Sequence, residues 1–145
     1  MKTISSILVI DDNHADAYLA KRALIRAKAI NDEADIFFAT DGEDALNFLS
    51  DIDQKRALYG ADKFPPTLIL LDINMPIMNG FEFLDEYQSL NKQAAYNSII
   101  VMMLTSSENP CDLTKASDYD CVKDFIVKPL SKEKISHIMA SCFEG

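Results

Sequence analysis

The 145-residue sequence predicts a doubly wound α/β domain, in which a five-stranded parallel sheet lies between two layers of helices. Two observations predict this class. Short apolar runs alternate five times with segments of helical periodicity, and three of the runs are continuously apolar, as in strands covered on both faces. Five such units average about 29 residues each, close to the length of one strand–helix–strand step.

The strands are recognised as apolar runs separated by polar or turn-forming residues. The first, third and fourth runs are continuous, so these are predicted to be central strands. Right-handed crossovers between parallel strands then favour a three-layer sandwich with the flavodoxin-like strand order 2-1-3-4-5. The predicted strands are residues 7–10, 34–38, 68–71, 99–104 and 125–127.

Helical patterns occupy the gaps between the strands. In the first gap, residues at positions i, i+3, i+4 and i+7 form one apolar face, namely Ala20, Ala23, Leu24 and Ala27. Residues 40–43 read Thr-Asp-Gly-Glu, a capping-box pattern that predicts the start of the second helix. Three further helices are predicted from about 80 to 90, after Asn109-Pro110 and after Ser131. Residues 52–67 are predicted to be a long loop, which is either a partner surface or a tolerated insertion.

Composition argues against several classes of function. The formal net charge of −9, without a local run of Lys and Arg, argues against direct binding of nucleic acid. The longest strongly apolar run, residues 99–104, is too short to cross a membrane, and no signal peptide is visible. Three cysteines without C-x-x-C spacing indicate free thiols in a reducing compartment, so we expect a cytoplasmic protein.

Polar residues stand where the predicted strands end. Asp11 and Asp12 follow the first strand, and Asp72 follows the third. Thr105 follows the fourth strand, and Lys128 lies just past the fifth. Because ligand sites in parallel sheets form at the carboxyl ends of the strands, we expect these five residues to converge on one edge of the sheet.

Three carboxylates at one edge require compensation of their charge. Two carboxylates about 4 Å apart repel by roughly 4 kcal/mol at an effective dielectric constant of about 20. A raised pKa or a bound cation relieves this repulsion, and Mg²⁺ suits a site with few carboxylates that leaves coordination positions open for phosphate. With Lys128 on the other side, such a site can bind and stabilise a transferring phosphoryl group.

Four motifs, in order and each at a strand end, resemble those of the receiver domain of two-component response regulators. They are Asp11-Asp12, Leu70-Leu71-Asp72-Ile73-Asn74-Met75-Pro76 with Asn79-Gly80, Leu104-Thr105-Ser106, and Lys128-Pro129. The resemblance covers residues 6–143, so we expect residues 1–145 to be a single receiver domain without an output domain. Phe64-Pro65-Pro66-Thr67 and Ser107 after the third motif resemble the single-domain subgroup that includes cyanobacterial phytochrome response regulators.

The resemblance implies a role for each site residue. Asp72 would be the phosphoacceptor and, with Asp12, a direct ligand of Mg²⁺. Asn74 would contribute its backbone carbonyl to the metal, and Asp11 would act through a metal-bound water. Chemistry of this kind is confined to the domain's own phosphorylation and dephosphorylation, so we do not expect a conventional enzyme.

The resemblance also implies how the signal is received and transmitted. Thr105 and Lys128 would bind the phosphoryl group, and Phe125 would be the aromatic switch residue that moves with Thr105. The Lys128-Pro129 peptide bond would be cis. The donor would be a histidine kinase or a histidine phosphotransfer protein. The signal would pass to another protein, or to a second copy in a homodimer, through the predicted fourth helix, fifth strand and fifth helix.

One departure from the family concerns the end of the predicted fourth helix. The family usually has a glycine there, whereas this chain reads Ser117-Asp118-Tyr119-Asp120-Cys121. Glycine is the residue that most easily adopts a left-handed helix cap. We therefore expect Asp120 to take the place of that glycine.

Other interpretations remain open on the sequence alone. A haloacid-dehalogenase-like phosphohydrolase also uses an Asp after a parallel strand, but it needs a second Asp two residues on, where this chain has Asn74. A flavodoxin needs a hydroxyl- and glycine-rich phosphate loop, which Asp11 and Asp12 replace here. A degenerate receiver that acts only as a binding module is disfavoured because all five site residues are retained. Taken singly, Asp11 or Asp72 could be only a helix N-cap.

Overall fold

The computed structural model describes residues 4–75, 77–93, 96, 98–105 and 110–141. Five strands form one sheet in the order β2-β1-β3-β4-β5, and every neighbouring pair is parallel. The predicted fold class and strand order are therefore confirmed. The strands are β1 (Ile7–Ile10), β2 (Ile36–Ala39), β3 (Leu68–Asp72), β4 (Ile100–Thr105) and β5 (Val122–Val127).

Within the described residues, six α-helices connect or follow these strands. They are α1 (His14–Arg26), α2 (Gly42–Leu49), α3 (Ile52–Tyr59), α4 (Gly80–Asn91), α5 (Pro110–Ala116) and α6 (Lys132–Met139). The predicted fourth and fifth helices are thus α5 and α6, because α3 is additional. None of the helices in the described part of the chain is long and apolar enough to cross a membrane.

The sheet divides the core into two parts. Successive residues of β1 alternate between them, as the period of two in a strand requires: Leu8 and Ile10 belong to one cluster, and Ile7 and Val9 to the other. The first cluster is covered by α2, α4 and α5, and the second by α1 and α6. All five residues of β3 are buried, so the continuously apolar central strand is confirmed.

Four helices begin at a polar side chain that accepts a hydrogen bond from the backbone N–H three residues later, which satisfies a donor that the helix leaves free. These residues are Asn13 for α1, Asp41 for α2, Asn79 for α4 and Ser131 for α6. The capping box predicted for residues 40–43 is therefore wrong by one position. Asp41 is the cap, and the Asp44 carboxylate accepts a hydrogen bond from the N–H of Thr40.

The long loop predicted for residues 52–67 contains helix α3. No residue of α3 is fully buried, so its sequence lacks the apolar stripe that identifies a core helix. Ile52 packs partly buried against the first core cluster, and polar and aromatic contacts with α2 complete the attachment of the helix. The Lys55 ammonium donates to the carbonyl groups of Asn47 and Phe48 at the end of α2, and the Tyr59 ring lies 5.7 Å from the ring of Phe48.

Three further boundaries differ from the sequence prediction. Residues 33–35 form a turn of 3₁₀ helix, so β2 starts at Ile36. Strand β5 starts at Val122 rather than Phe125, because this edge strand includes the exposed residues 123 and 124. The left-handed cap at Asp120 is wrong: α5 is followed by i+3 hydrogen bonds, and Asp120 is not among the described residues of positive φ.

Candidate functional site

Backbone hydrogen bonds hold the carboxyl ends of the strands together just beyond the sheet. The amide of Ile73 donates to the carbonyl of Leu104 at 3.2 Å, which ties the segment after β3 to β4. The amide of Lys128 donates to the carbonyl of Thr105 at 2.6 Å, which ties the segment after β5 to β4. The residues that follow these three strands are therefore brought to one place by the backbone.

Lys128 is the cation at this edge. Its Nζ lies 2.8 Å from Asp11 Oδ2, 3.0 Å from Asp16 Oδ2 and 3.4 Å from Asp72 Oδ1. Burial opposes the charged ammonium, but the hydrogen bonds to Asp11 and Asp16 and the charge of Asp72 outweigh burial and raise the pKa of Lys128. Lys128 is therefore protonated at neutral pH and neutralises part of the acidic cluster.

The Asp72 carboxylate is buried, with only 7% of its side chain exposed. Burial raises the pKa of Asp72 to about 6, and the charges of Asp11 and Asp12 add to this rise while Lys128 opposes it. A pKa near 6 leaves Asp72 ionised at neutral pH. Its negative charge is nevertheless only partly compensated by the described residues around it.

Asp11, Asp12 and Asp72 together form an oxygen-rich cluster. One carboxylate oxygen from each lies within 4.8 Å of the others. Asp11 and Asp72 are buried, whereas Asp12 is exposed to solvent. Oxygen donors at this spacing fit a hard divalent cation such as Mg²⁺ or Mn²⁺ and do not resemble a thiol- or imidazole-based site.

Asp11 differs from the other two carboxylates because both of its oxygens have protein partners. Oδ1 accepts a hydrogen bond from the backbone N–H of Asn13 at 2.9 Å, and Oδ2 accepts one from the Lys128 ammonium. These bonds fix the orientation of the buried carboxylate. They leave Asp12 and Asp72 as the carboxylates most available to contact a cation directly.

The segment after β3 is shaped by Asn79 and Gly80. Asn79 caps α4 in a complete capping box with Glu82, and the amide of Gly80 donates to the carbonyl of Ile73 at 2.8 Å. A Cβ at Gly80 would lie 2.7 Å from the carbonyl oxygen of Asp72, a distance that no side chain tolerates. The glycine therefore allows α4 to start directly against the end of β3.

Asn74 is exposed, and Pro76 lies outside the described residues.

The two predicted switch residues lie on neighbouring strands. Thr105 is fully buried at the last position of β4 and pairs with Val127, whereas Phe125 is partly buried and pairs with Met103. Phe125 packs against the core cluster that α2, α4 and α5 cover. Ser106, the last residue of the Thr105 motif, lies outside the described residues. The predicted cis bond between Lys128 and Pro129 is confirmed.

Asp16 is a member of the site that the sequence did not indicate. It lies in the first turn of α1 and binds the Lys128 ammonium. An acidic residue in this position is ordinarily explained by the helix dipole alone, so its partner could not be inferred. The available signal was its place in the sequence, since Asp16 lies only four residues after Asp12 and in the first turn of the helix that leaves this edge of the sheet.

Similarity to known proteins identifies the family of this chain. The family model for the response regulator receiver domain matches residues 7–140. A two-component response regulator from Cytophaga hutchinsonii superposes with a TM-score of 0.78 at 29% identity, covering 99% of this chain and 100% of that one. No comparison supports the phosphohydrolase alternative.

Two further structural relatives are a phosphorylated phytochrome response regulator and a metal-bound response regulator. The phosphorylated cyanobacterial phytochrome response regulator RcpA has a TM-score of 0.67 at 27% identity, over 94% of this chain and 89% of that one. The Mn²⁺-bound form of the response regulator Rcp1 has a TM-score of 0.68 at 26% identity, over 94% and 92% of the two chains. The resemblance to receiver domains, and to their phytochrome-associated relatives, is thereby confirmed. The chain belongs to the response regulator receiver domain family.

Proposed function

We propose that this receiver domain accepts a phosphoryl group on Asp72 and that the modification alters a protein-binding surface. The observation that carries the proposal is the position of the Lys128 ammonium, 3.4 Å from Asp72 Oδ1 and beside a cluster of three carboxylates. A phosphoryl group on Asp72 would place its negative oxygens next to that ammonium. Charge-assisted hydrogen bonds of this kind are among the strongest that proteins make to phosphate.

The proposed donor is a phosphohistidine, carried by a histidine kinase or by a histidine phosphotransfer protein. A carboxylate oxygen of Asp72 forms a bond to phosphorus, and the bond between phosphorus and the donor imidazole nitrogen breaks. The imidazole leaves with the electron pair of that bond and takes a proton from solvent. Asp72 must be ionised to attack, and its pKa of about 6 meets this requirement at neutral pH.

A divalent cation is the proposed cofactor, and the residues present fit it. Asp12 and Asp72 would hold Mg²⁺ directly, together with the backbone carbonyl of Asn74. Asp11 would act through a water, since both of its oxygens already have protein partners. The Mn²⁺-bound relative supports this assignment. The bound cation would supply positive charge to the phosphoryl oxygens in addition to that of Lys128.

Thr105 and Phe125 are the proposed route from Asp72 to the surface. The Thr105 hydroxyl would donate to a phosphoryl oxygen, and the Phe125 ring would enter the space that Thr105 leaves. This movement would repack the face formed by α5, β5 and α6, where we place the contact with a downstream protein or with a second copy. Such coupling requires two conformations that differ by a few kcal/mol, one of which binds the phosphoryl group better.

The proposal is tested by incubation with acetyl phosphate and Mg²⁺, followed by measurement of the intact mass. We expect the wild-type protein to gain the mass of one phosphoryl group, and the Asp72→Asn variant to gain nothing. The same reaction with EDTA in place of Mg²⁺ should leave the protein unmodified. Full incorporation into Asp72→Asn would refute the assignment, and steady release of phosphate without a retained group would favour a hydrolase.

A further inference from the structure

The Lys128 ammonium contacts three carboxylates, and one of them, Asp16, has no role in the proposed function. The ammonium carries three N–H donors, and hydrogen bonds direct two of them to Asp11 and Asp16. The third contact, to Asp72, is the longest of the three at 3.4 Å. In this state the lysine is therefore held more closely by the carboxylates on the α1 side than by the proposed phosphoacceptor.

The two short contacts are not equivalent. The Asp11 side chain is only 2% exposed, so releasing it would leave a buried carboxylate without its cation. The Asp16 side chain is 38% exposed and lies in the first turn of α1, where water and the helix dipole stabilise a negative charge. Asp16 is therefore the partner that Lys128 can leave at least cost.

We propose that Asp16 is a positioning residue that competes with the phosphoryl group on Asp72 for the Lys128 ammonium. The inference rests on the proposed function, because it needs a phosphoryl group at Asp72. When that group arrives, Lys128 lengthens its contact with Asp16 and moves towards Asp72, while Asp11 stays paired. Asp16 thereby weakens the phosphorylated state and regulates how readily the domain enters it.

The size of the effect follows from the exposure of Asp16. An ion pair with one partly exposed member contributes little free energy, because water screens the interaction. The competition should therefore change the affinity for a phosphoryl mimic by about threefold and not by orders of magnitude. The Asp16→Asn variant keeps the shape of the side chain. It also keeps the cap of α1, because Asn13 accepts its hydrogen bond from the backbone N–H of residue 16. We therefore expect this variant to fold normally.

The test is a titration with beryllofluoride in the presence of Mg²⁺, followed by ¹⁹F NMR. We expect Asp16→Asn to bind the mimic about threefold more tightly than the wild type, and the ¹⁹F resonance of the fluorine that faces Lys128 to shift. Asp16→Glu should restore the wild-type affinity, because it retains the carboxylate. In a Lys128→Met background, Asp16→Asn should have no effect, since the competition acts through the lysine.

A matched control separates competition from general repulsion. Glu43 is an exposed carboxylate in the first turn of α2, and Glu43→Gln removes one negative charge near the same edge of the sheet. We expect this variant to bind beryllofluoride as the wild type does. An equal increase in affinity in Glu43→Gln, or no increase in Asp16→Asn, would overturn this inference and leave the proposed function intact. A wild-type protein that does not bind the mimic would instead contradict the proposed function.

Discussion

Gly80 and Asp72 approach each other so closely that a Cβ on the glycine would lie 2.7 Å from the carbonyl oxygen of the aspartate. The amide of Gly80 also donates to the carbonyl of Ile73, the next residue along the chain. The first turn of α4 is thus bonded to the strand end that presents Asp72. The position of the proposed phosphoacceptor therefore depends on a residue that has no side chain.

The Gly80→Ala variant should lose stability and affinity for Mg²⁺ together. The added methyl group must push α4 away from the end of β3, and overpacking of this kind costs about 1–3 kcal/mol. Urea denaturation would measure the free energy of unfolding, and a Mg²⁺ titration would measure the site.

Gly42→Ala is the matched control for this prediction. Gly42 occupies the same first position of helix α2, but its added Cβ would meet side-chain atoms of Met78 and no backbone atom of the site. The Cγ and Sδ atoms of Met78 can move by rotation, whereas its Cβ, at 3.0 Å, must shift slightly. We expect this variant to lose less stability and to keep its affinity for Mg²⁺. Equal losses in the two variants would show that contact with the backbone of Asp72 is unimportant.

The sheet was predictable because its signals are local and strong. Short continuous apolar runs such as residues 68–71 are typical of strands covered on both faces. Ligand sites in parallel sheets form at the carboxyl ends of the strands, and this rule brings Asp11, Asp72 and Lys128 together. The resulting strand order and the convergence of these residues agree with the structure.

What the sequence could not indicate depends on partners that are distant along the chain. Helix α3 has no buried residue and is held partly by Lys55 at the end of α2, a contact that no apolar periodicity reveals. Asp16 acquires its role only because Lys128, which is 112 residues away, reaches it in the folded protein. The predicted start of α2 differs from the observed one by one residue for a related reason. Thr40 and Asp41 are equally plausible caps until the backbone geometry is known.

The contribution of Asp72 to the free energy of unfolding should fall as pH rises from about 4 to about 7 in metal-free buffer. The pKa of Asp72 is raised from 3.8 to about 6 in the folded state, chiefly by burial, so folding favours the protonated carboxyl group. Its contribution is fully present below pH 3.8 and is lost as the pH rises through about 6. This difference corresponds to about 3 kcal/mol.

Asp72→Asn provides the comparison, because the amide does not titrate. The variant should be about as stable as the wild type near pH 4 and more stable by up to about 3 kcal/mol near neutral pH. Urea denaturation of both proteins in EDTA, at several pH values, measures this difference. Parallel curves for the two proteins would show that the folded state does not favour protonated Asp72.

Removal of the Lys128 ammonium should destabilise the protein through Asp11. Among the described residues, Lys128→Met leaves the buried Asp11 carboxylate with only the hydrogen bond from Asn13, and breaking a buried ion pair from one side costs about 3 kcal/mol or more. The double variant Lys128→Met with Asp11→Asn removes the stranded charge. Urea denaturation should therefore show the double variant to be more stable than Lys128→Met alone. Equal stabilities would mean that Asp11 does not depend on Lys128 for compensation of its charge.

Transmission from the site to the surface should depend on the hydroxyl of Thr105. Thr105 is fully buried at the end of β4, directly after Leu104, which is the register partner of Asp72, and the backbone of Lys128 bonds to its carbonyl. In the proposed mechanism its hydroxyl responds to a phosphoryl group on Asp72. Thr105→Ala should still incorporate phosphate at Asp72, because neither the nucleophile nor the carboxylate cluster is changed. It should transmit the modification poorly, since Phe125 would no longer be coupled to the phosphoryl oxygens.

Amide chemical shifts of α5, β5 and α6, recorded with and without beryllofluoride, measure this transmission. Thr105→Ser is the matched control, because it keeps the hydroxyl and removes only a methyl group. We expect Thr105→Ser to show most of the wild-type shift changes and Thr105→Ala to show a small part of them. If Thr105→Ala responds as fully as the wild type, the signal does not travel through the hydroxyl of Thr105, and Phe125 must be displaced by another route or not at all.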